Sequence, residues 1–297
     1  MSAPRVFDRP LLRDRRRRAH KLGAATFLID RVAADLAERL SAVLRRFAVA
    51  VDLGSPTGAV RRELAGLVDT LIVTDAAAED VRDYPGPKLV ADEEALPFAD
   101  ASLDLLVSAL ALQLVNDLPG TLVQVRRALK PDGYFLAALL GGDSLTELRQ
   151  SFAAAEAAIE GGVSPRVAPF VDARDAGALL QRAGFALPVA DVDRVTVRYA
   201  SAFDLMADLR RMGATNPLVE RRRTPLRRAT LMRMAETYAA RFADADGRVR
   251  ASFDIVWLAG WAPHPGQQQP LRPGSAQTRL ADALGTREIS TGEKPER

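Results

Sequence analysis

The sequence predicts an α/β protein: a doubly wound, mostly parallel sheet of seven strands, with helical insertions. Three observations predict this fold class. Short apolar runs typical of buried strands alternate with helical patterns at short spacing. The first run ends in a glycine-containing turn, as a strand does before a helix. Apolar residues make up 48% and charged residues 27% of the 297 residues, which is the composition of a globular domain.

The first half of the chain carries the strongest alternation. Residues 1–47 form a predicted N-terminal helical segment, with an amphipathic helix over Thr26–Phe47. Five strands are predicted next, at Ala48–Leu53, Thr70–Thr74, Lys88–Ala91, Leu103–Ser108 and Tyr134–Leu140. Helices are expected between them at Val60–Leu67 and Leu118–Leu129, and the turn Lys130–Gly133 introduces the fifth strand.

The second half has longer helical stretches. Helices are predicted at Ser144–Ile159, Asp172–Ala183, Ser201–Met212 and Pro225–Phe242, and strands at Ala190–Tyr199 and Ala251–Trp261. We therefore place the main domain at residues 48–262, with helical insertions at about 143–184 and 201–246. From residue 263 onward Pro, Gly and Gln dominate, which predicts a poorly ordered tail over 263–297.

Composition excludes several kinds of chemistry. The chain has no cysteine and only two histidines, so disulfides, thiolate metal ligands and a built-in metal centre are not expected. No charge-free run of about 18 apolar residues occurs, so no transmembrane segment is predicted. The charged N-terminus has no apolar signal region, and the protein is expected to be cytoplasmic. The clusters Arg15–Arg18 and Arg221–Arg223 lack interleaved aromatic residues, which predicts solvated faces or a docking surface rather than nucleic-acid binding.

Acidic residues follow three of the predicted strands. In an open α/β sheet, ligands bind at the carboxyl ends of the strands. Asp52 precedes a turn in which Gly54 and Gly58 allow close approach of the backbone to a ligand. Asp75 is placed to accept two ribose hydroxyls, and Asp92 to accept an exocyclic amine. The turn lacks the full G-x-G-x-x-G pattern, so these positions suit a nucleoside without a pyrophosphate; the alternatives are ordinary turns and helix caps.

These residues resemble the class I S-adenosylmethionine-dependent methyltransferases. The resemblance is carried by Asp52–Gly58, Asp75, Asp92–Phe98, Ser102–Ser108 and Leu129–Gly133. Other strings resemble one family of that superfamily, the mitochondrial complex I assembly factors that hydroxylate an arginine and their alphaproteobacterial relatives: Val6–Arg9, Leu112–Pro119, Gly141–Arg149, Gly161–Pro165, Met212–Asn216 and Gly260–Trp261. The likeness spans residues 5–276, whereas malonyl-carrier-protein methyltransferases share mainly the N-terminal half.

The resemblance implies S-adenosyl-L-methionine as cofactor and a role for each matching position. Asp52, Gly54, Gly58, Asp75, Asp92, Glu93 and Ser108 would form its site: the glycine loop would face the methionine moiety, Asp75 the ribose, and Asp92 with Glu93 the adenine. Gln113 would lie at the reactive end of the cofactor. Catalytic residues are not identified, and the candidates on the substrate side are Gln113, Asn116, Asp117, Asp143 and Glu147, with helix capping as the alternative for most of them.

Two positions depart from the family pattern. Pro56 stands where the loop usually has glycine, so one backbone N–H is missing and the loop is stiffer. Gln113 stands where relatives often have histidine, and a neutral amide cannot act as a general base.

Three functions remain open on the sequence. The first is a protein-modifying enzyme that hydroxylates or methylates an arginine of a peripheral-arm subunit during complex I assembly, for which the long segment Ser201–Phe242 would be the docking element. The second is a methyltransferase for small-molecule or carrier-protein carboxylates. The third is a non-catalytic assembly scaffold, which Pro56 and Gln113 would suit. For hydroxylation, the sequence shows no source of the oxidant.

Overall fold

The computed structural model describes residues 5–267, 275 and 278–287, and the chain divides after Pro263 into two units. The first unit contains the whole sheet. The second contains a short helix, Leu280–Leu284, among its described residues. Most of the remaining predicted tail lies outside the described residues, so that prediction stays a prediction.

Seven strands form one sheet, which confirms the predicted fold class. They are β1 (Phe47–Leu53), β2 (Val68–Asp75), β3 (Lys88–Val90), β4 (Leu103–Ala109), β5 (Leu129–Leu140), β6 (Ala186–Tyr199) and β7 (Val249–Trp261). Their order is β3-β2-β1-β4-β5-β7-β6, and β7 alone runs antiparallel to its neighbours. The strand order reverses between β1 and β4, which is where a ligand crevice forms in such sheets.

The described helices of the first unit surround this sheet. They are α1 (Arg9–Leu22), α2 (Phe27–Ser41), α3 (Ala59–Glu63), α4 (Ala78–Val81), α5 (Leu118–Ala128), α6 (Thr146–Glu160), α7 (Ala173–Arg182), α8 (Ala202–Arg211) and α9 (Arg228–Phe242), with a short 3₁₀ helix at Leu112–Leu114. No helix among the described residues is long and apolar enough to cross a membrane. The prediction of a helix through Phe47 is wrong: α2 ends at Ser41, because Phe47 is buried as the first residue of β1 and its ring stacks on Tyr134.

Both faces of the sheet are buried. On β4, the neighbouring residues Leu105 and Leu106 point to opposite faces and neither is exposed. Leu105 belongs to a cluster that includes α2 residues such as Leu36, and Leu106 to one that includes α5 residues such as Leu122. Burial on both faces explains why these strands are continuous apolar runs rather than alternating ones.

The N-terminal segment packs on the insertion that follows α8. Phe7 forms an antiparallel bridge with Leu218, and the N–H of Asp8 donates to the carbonyl of Pro217 at 2.8 Å. Helix α1 begins directly after this bridge and also packs against α8. As a result, α1 and the segment after α8 form one layer, which reaches the carboxyl ends of β2 and β3 through side chains described below.

Candidate cofactor and substrate site

Asp52 is the buried acid at the end of β1. The residue is 2% exposed, and its Oδ1 atom has no hydrogen-bond partner in the described part of the chain. Burial raises the pKa of Asp52 to about 7, and the nearby charge of Asp75 acts in the same direction. An acceptor atom left unpaired in such a place is costly unless a ligand donates to it.

The turn after β1 depends on Gly54. Its φ is +67°, and a Cβ atom there would lie 2.4 Å from Glu93 Oε1. Glycine is therefore required on two counts, conformation and space. The N–H of Gly54 donates to the carbonyl of Thr74 at 2.9 Å, and the N–H of Ala109 donates to Ser55 Oγ at 2.9 Å. These bonds fix the loop against β2 and β4.

The acids after β2 and β3 are paired with arginines of α1. Arg16 Nη1 donates to Asp75 Oδ2 at 3.2 Å. The Arg9 guanidinium donates to Asp92 Oδ1 at 2.9 Å and also to Glu93. The four predicted cofactor acids thus lie along one edge of the sheet, as expected, and three of them face a cation that the sequence analysis did not assign.

Arg9 and Arg16, which the sequence analysis did not assign to the site, lie seven residues apart. That spacing is two helical turns, so both side chains leave α1 on the same face. The prediction of a solvated face for the Arg15–Arg18 cluster is wrong for Arg16, which is only 9% exposed. It also fails for Arg15, which donates to the backbone carbonyls of Thr215 and Asn216.

Ser108 and Gln113 have different roles in the structure. Ser108 is fully buried and its Oγ donates to the carbonyl of Leu53 at 2.7 Å, so it ties β4 to β1 beneath the loop. Gln113 Nε2 donates to the carbonyl of Leu110 at 2.7 Å, while its buried Oε1 has no partner within the described residues. Gln113 therefore offers an acceptor to a ligand but cannot take its proton.

Asn116 and Asp117, two candidates for the substrate side, hold the fold together. Asn116 Oδ1 accepts from the N–H groups of Val6 and Phe7, both at 2.8 Å. Asp117 accepts from the N–H of Gly120 at 2.8 Å as the N-cap of α5, which confirms the capping interpretation.

Asp143 and Glu147 also make structural contacts. Asp143 is 70% exposed and pairs with Arg194 at 3.1 Å. Glu147 accepts from Ser252, at 3.1 Å from the N–H and 2.6 Å from Oγ. Neither residue lines the cavity described next, and a catalytic role for Asn116, Asp117 or Asp143 stays a prediction.

A cavity of about 290 Å³ adjoins the turn after β1. It is bounded by α1, α2, α6 and α8, by Pro56, Thr57 and Gln113, and by the segments 166–170 and 213–217. Most of the lining is apolar, the charged lining residues are arginines, and no carboxylate lies among them. Its position beside the loop makes it the natural place for an acceptor substrate.

Two of the sequence strings that carried the family resemblance meet at this cavity. Gly213 has φ +69°, and a Cβ atom there would lie 3.2 Å from the Cα atom of Arg16. Asn216 Nδ2 donates to the carbonyl of Pro165 at 2.7 Å. The unusual residues of the insertions therefore serve to close the cavity wall against α1.

Comparisons with known proteins support the class of fold. Residues 51–137 match the family described as "Methyltransferase domain". A putative methyltransferase from Bacillus halodurans superposes with a TM-score of 0.54 at 15% identity, covering 77% of this chain and 99% of that one. With the sheet order and the glycine loop, these matches establish a class I methyltransferase domain.

Sequence relatives place the chain in one family among the proteins that share this fold. The arginine-hydroxylase NDUFAF5 of Danio rerio mitochondria is 37% identical over 286 residues, covering 93% of this chain and 89% of that protein. The chain belongs to the NDUFAF5 arginine-hydroxylase family. A malonyl-[acyl-carrier protein] O-methyltransferase of Xylella fastidiosa is 40% identical over 172 residues, covering 58% of this chain and 56% of that protein.

The residues present fit S-adenosylmethionine. Its ammonium group, ribose hydroxyls and adenine amine are donors, and in the described part of the chain the site presents buried acceptors without partners at Asp52 Oδ1 and Glu93 Oε1. Asp75 lies at the end of β2, where ribose-binding acids are placed in nucleotide folds. Among the described residues, no group of three or more His, Cys, Asp or Glu side chains is arranged to hold a metal ion.

Proposed function

We propose that this protein binds S-adenosylmethionine and modifies an arginine, by hydroxylation or methylation, in a peripheral-arm subunit of respiratory complex I during assembly. The observation that carries the proposal is the extent of the family match. The residues that line the cavity lie between Leu12 and Phe253 in the chain. The alignment with an arginine hydroxylase covers 93% of the chain, which is long enough to include all of these residues. The carrier-protein methyltransferase matches only 58% of the chain, which is too short to do so.

The residues of this chain would bind the cofactor, orient the acceptor substrate and shield both from water. Asp75 would accept the ribose hydroxyls, Asp92 and Glu93 would lie beside the adenine, and Asp52 would accept the ammonium group. The cofactor supplies an electrophilic methyl group on a sulfonium. The apolar wall of the cavity would exclude water and hold the acceptor near Gln113, whose free Oε1 suits an N–H donor of the substrate.

The two arginine reactions differ in what they require. Methylation breaks the methyl–sulfur bond and forms a methyl–nitrogen bond on the guanidinium, with release of S-adenosylhomocysteine and of one proton to solvent. Hydroxylation breaks a C–H bond and forms a C–O bond, which is a two-electron oxidation; the proposal takes the oxygen atom from external dioxygen, whose second oxygen leaves as water with two electrons from an external reductant.

A second candidate function is favoured by the charge of the cavity. A substrate guanidinium would meet no carboxylate in the lining, whereas Arg166 and Arg210 would suit an anionic acceptor. This favours methylation of a carboxylate, and the Xylella fastidiosa relative is an O-methyltransferase of malonyl-[acyl-carrier protein]. The proposal for arginine therefore requires the carboxylate partner to come from the docked protein or from the edge that holds Asp52.

Mass spectrometry of a deletion strain separates these functions. We expect one arginine peptide of a peripheral-arm subunit to lose the mass of an oxygen atom or of a methylene group. Restoring the wild-type gene should restore the mass, and an Asp75→Ala copy should not. Unchanged arginine peptides, together with labelled-methyl transfer to a carrier-protein carboxylate, would favour the second function. No change in any modification, with complex I assembly still impaired, would favour a scaffold.

A further inference from the structure

The methionine end of S-adenosylmethionine carries a carboxylate as well as an ammonium group. The edge built from Asp52, Asp75 and Glu93 supplies acceptors, which suit the ammonium but repel the carboxylate. Two positions of the loop after β1 offer no donor, because the N–H of Gly54 already donates to Thr74 and Pro56 has no N–H. A charged donor from elsewhere in the fold would therefore strengthen the binding of a carboxylate in this site.

Arg16 is the cation in the right place. Its side chain is 10% exposed, and it lines the same cavity as Pro56 and Thr57. Among the described residues its one hydrogen-bond partner is Asp75, through Nη1. A guanidinium has five N–H donors in a planar fork, so this bond leaves donors for a second group. The carboxylate of Asp75 accepts from Arg16 through Oδ2 and from the N–H of Ala77 through Oδ1.

The backbone beneath Arg16 is held from both sides. Gly213 approaches so closely that a Cβ atom would lie 3.2 Å from Arg16 Cα, and the preceding residue, Arg15, donates to the carbonyls of Thr215 and Asn216. The ion pair with Asp75 then fixes the guanidinium itself. A charged group positioned before the ligand arrives loses little entropy on binding it.

We propose that Arg16 binds the carboxylate of the cofactor's methionine end, supplying from α1 the donor that Pro56 removes from the loop. This rests on the proposed function in one respect, that S-adenosylmethionine is the ligand. Arg16 is then a cofactor-binding residue while it keeps its contact with Asp75, and α1 becomes part of the cofactor site.

The test is titration calorimetry of the full chain with three ligands: S-adenosylmethionine, S-adenosylhomocysteine and 5′-methylthioadenosine, which lacks the carboxylate. We expect Arg16→Gln to weaken binding of the first two ligands by about 10- to 100-fold, the loss for one hydrogen bond to a charged group. Binding of 5′-methylthioadenosine should stay within about threefold, which also shows that the variant is folded. Arg17→Gln, on the exposed face of the same helix, is the matched control and should bind all three ligands as the wild type does.

Pro56→Gly adds a second readout, because it restores a loop N–H. Placed in the Arg16→Gln background, it should recover several-fold of the lost affinity, as two residues that serve one group do in a double-mutant cycle. Equal weakening of all three ligands by Arg16→Gln would overturn the proposal, since the residue would then only shape the site. Unchanged or tighter binding would also overturn it and leave the proposed function standing. A wild-type protein that binds neither cofactor form would overturn both.

Discussion

Arg16 Nη1 lies 3.2 Å from Asp75 Oδ2, although 59 residues separate the two in the chain. The contact joins α1 to the end of β2 at the acid that nucleotide folds use for ribose. Both side chains are almost fully buried, so the pair is desolvated and each charge depends on the other. Helix α1 is therefore held against the cofactor edge by the same acid that the cofactor would use.

Removing the acid of this pair should destabilise the fold. Asp75→Ala leaves the Arg16 guanidinium buried without its partner, and we expect the free energy of unfolding to fall by about 3 kcal/mol. The double variant Asp75→Ala with Arg16→Met should lose clearly less, because no unpaired charge remains. Urea denaturation of the wild type, Asp75→Ala, Arg16→Met and the double variant measures these losses. Losses that simply add would contradict an interaction between these two residues.

Gly54→Ala should be more damaging than a positive φ alone explains. Gly54 has φ +67° and Glu93 Oε1 within 2.4 Å of its Cβ position, whereas Gly66 has φ +83° and nothing within 4 Å. Gly66→Ala is therefore the matched control, with an expected loss of about 1 kcal/mol from backbone strain. We expect Gly54→Ala to lose at least twice as much and to abolish cofactor binding. If thermal denaturation showed equal losses of stability in Gly54→Ala and Gly66→Ala, the Glu93 side chain would be able to move aside at no cost.

Asp52 should make stability depend on pH. Burial raises its folded pKa to about 7 from an ordinary 3.8, so the folded state holds a proton that the unfolded state releases between these values. Stability from this group is therefore full below about pH 4 and falls as the pH rises through about 7, by a few kcal/mol. Asp52→Asn should remove this fall, and the difference between the two proteins isolates it from other titrations. A wild-type and variant difference that does not change with pH would contradict the raised pKa.

Asn116→Ala should release the N-terminal segment. Its amide oxygen accepts from the N–H groups of Val6 and Phe7, and those donors would be left unpaired. We expect a loss of about 1–3 kcal/mol and faster amide exchange over residues 5–22. Asp117→Ala is the neighbouring control: it removes the cap of α5, at about 1 kcal/mol, and should leave exchange in that segment unchanged. Equal amide exchange over residues 5–22 in the two variants would show that Asn116 does not hold the N-terminal segment in place.

Gln113→Leu should separate substrate from cofactor. The change removes the unpaired Oε1 beside the cavity while keeping a similar volume. We expect cofactor affinity within about threefold of wild type, since the acids that would bind the cofactor are untouched. The modification found by mass spectrometry should fall at least tenfold if this oxygen orients the acceptor, as one lost hydrogen bond to a charged group predicts. A variant that modifies its target normally would remove Gln113 from the catalytic candidates.

The sheet and its acidic edge could be predicted from the sequence because both are local properties. Strands buried on both faces are continuous apolar runs, as at Leu105 and Leu106, and the acids stand where those runs end. The end of α2 was misplaced for a related reason: an apolar residue such as Phe47 fits a helix face and a strand equally well, and only its packing on Tyr134 decides.

By itself, the sequence determined the strands, the glycine turn and the placement of Asp52, Asp75 and Asp92 at one edge, because period and turn chemistry act over a few residues. Only the tertiary structure decided what meets that edge. Arg16 belongs to a run of four arginines that is typical of a solvated face, and Asn116 sits beside a helix cap. In the folded protein Arg16 is buried against Asp75, and Asn116 accepts from the N–H of Phe7. Both contacts join residues that are far apart in the chain, and a local sequence pattern contains no information about such contacts.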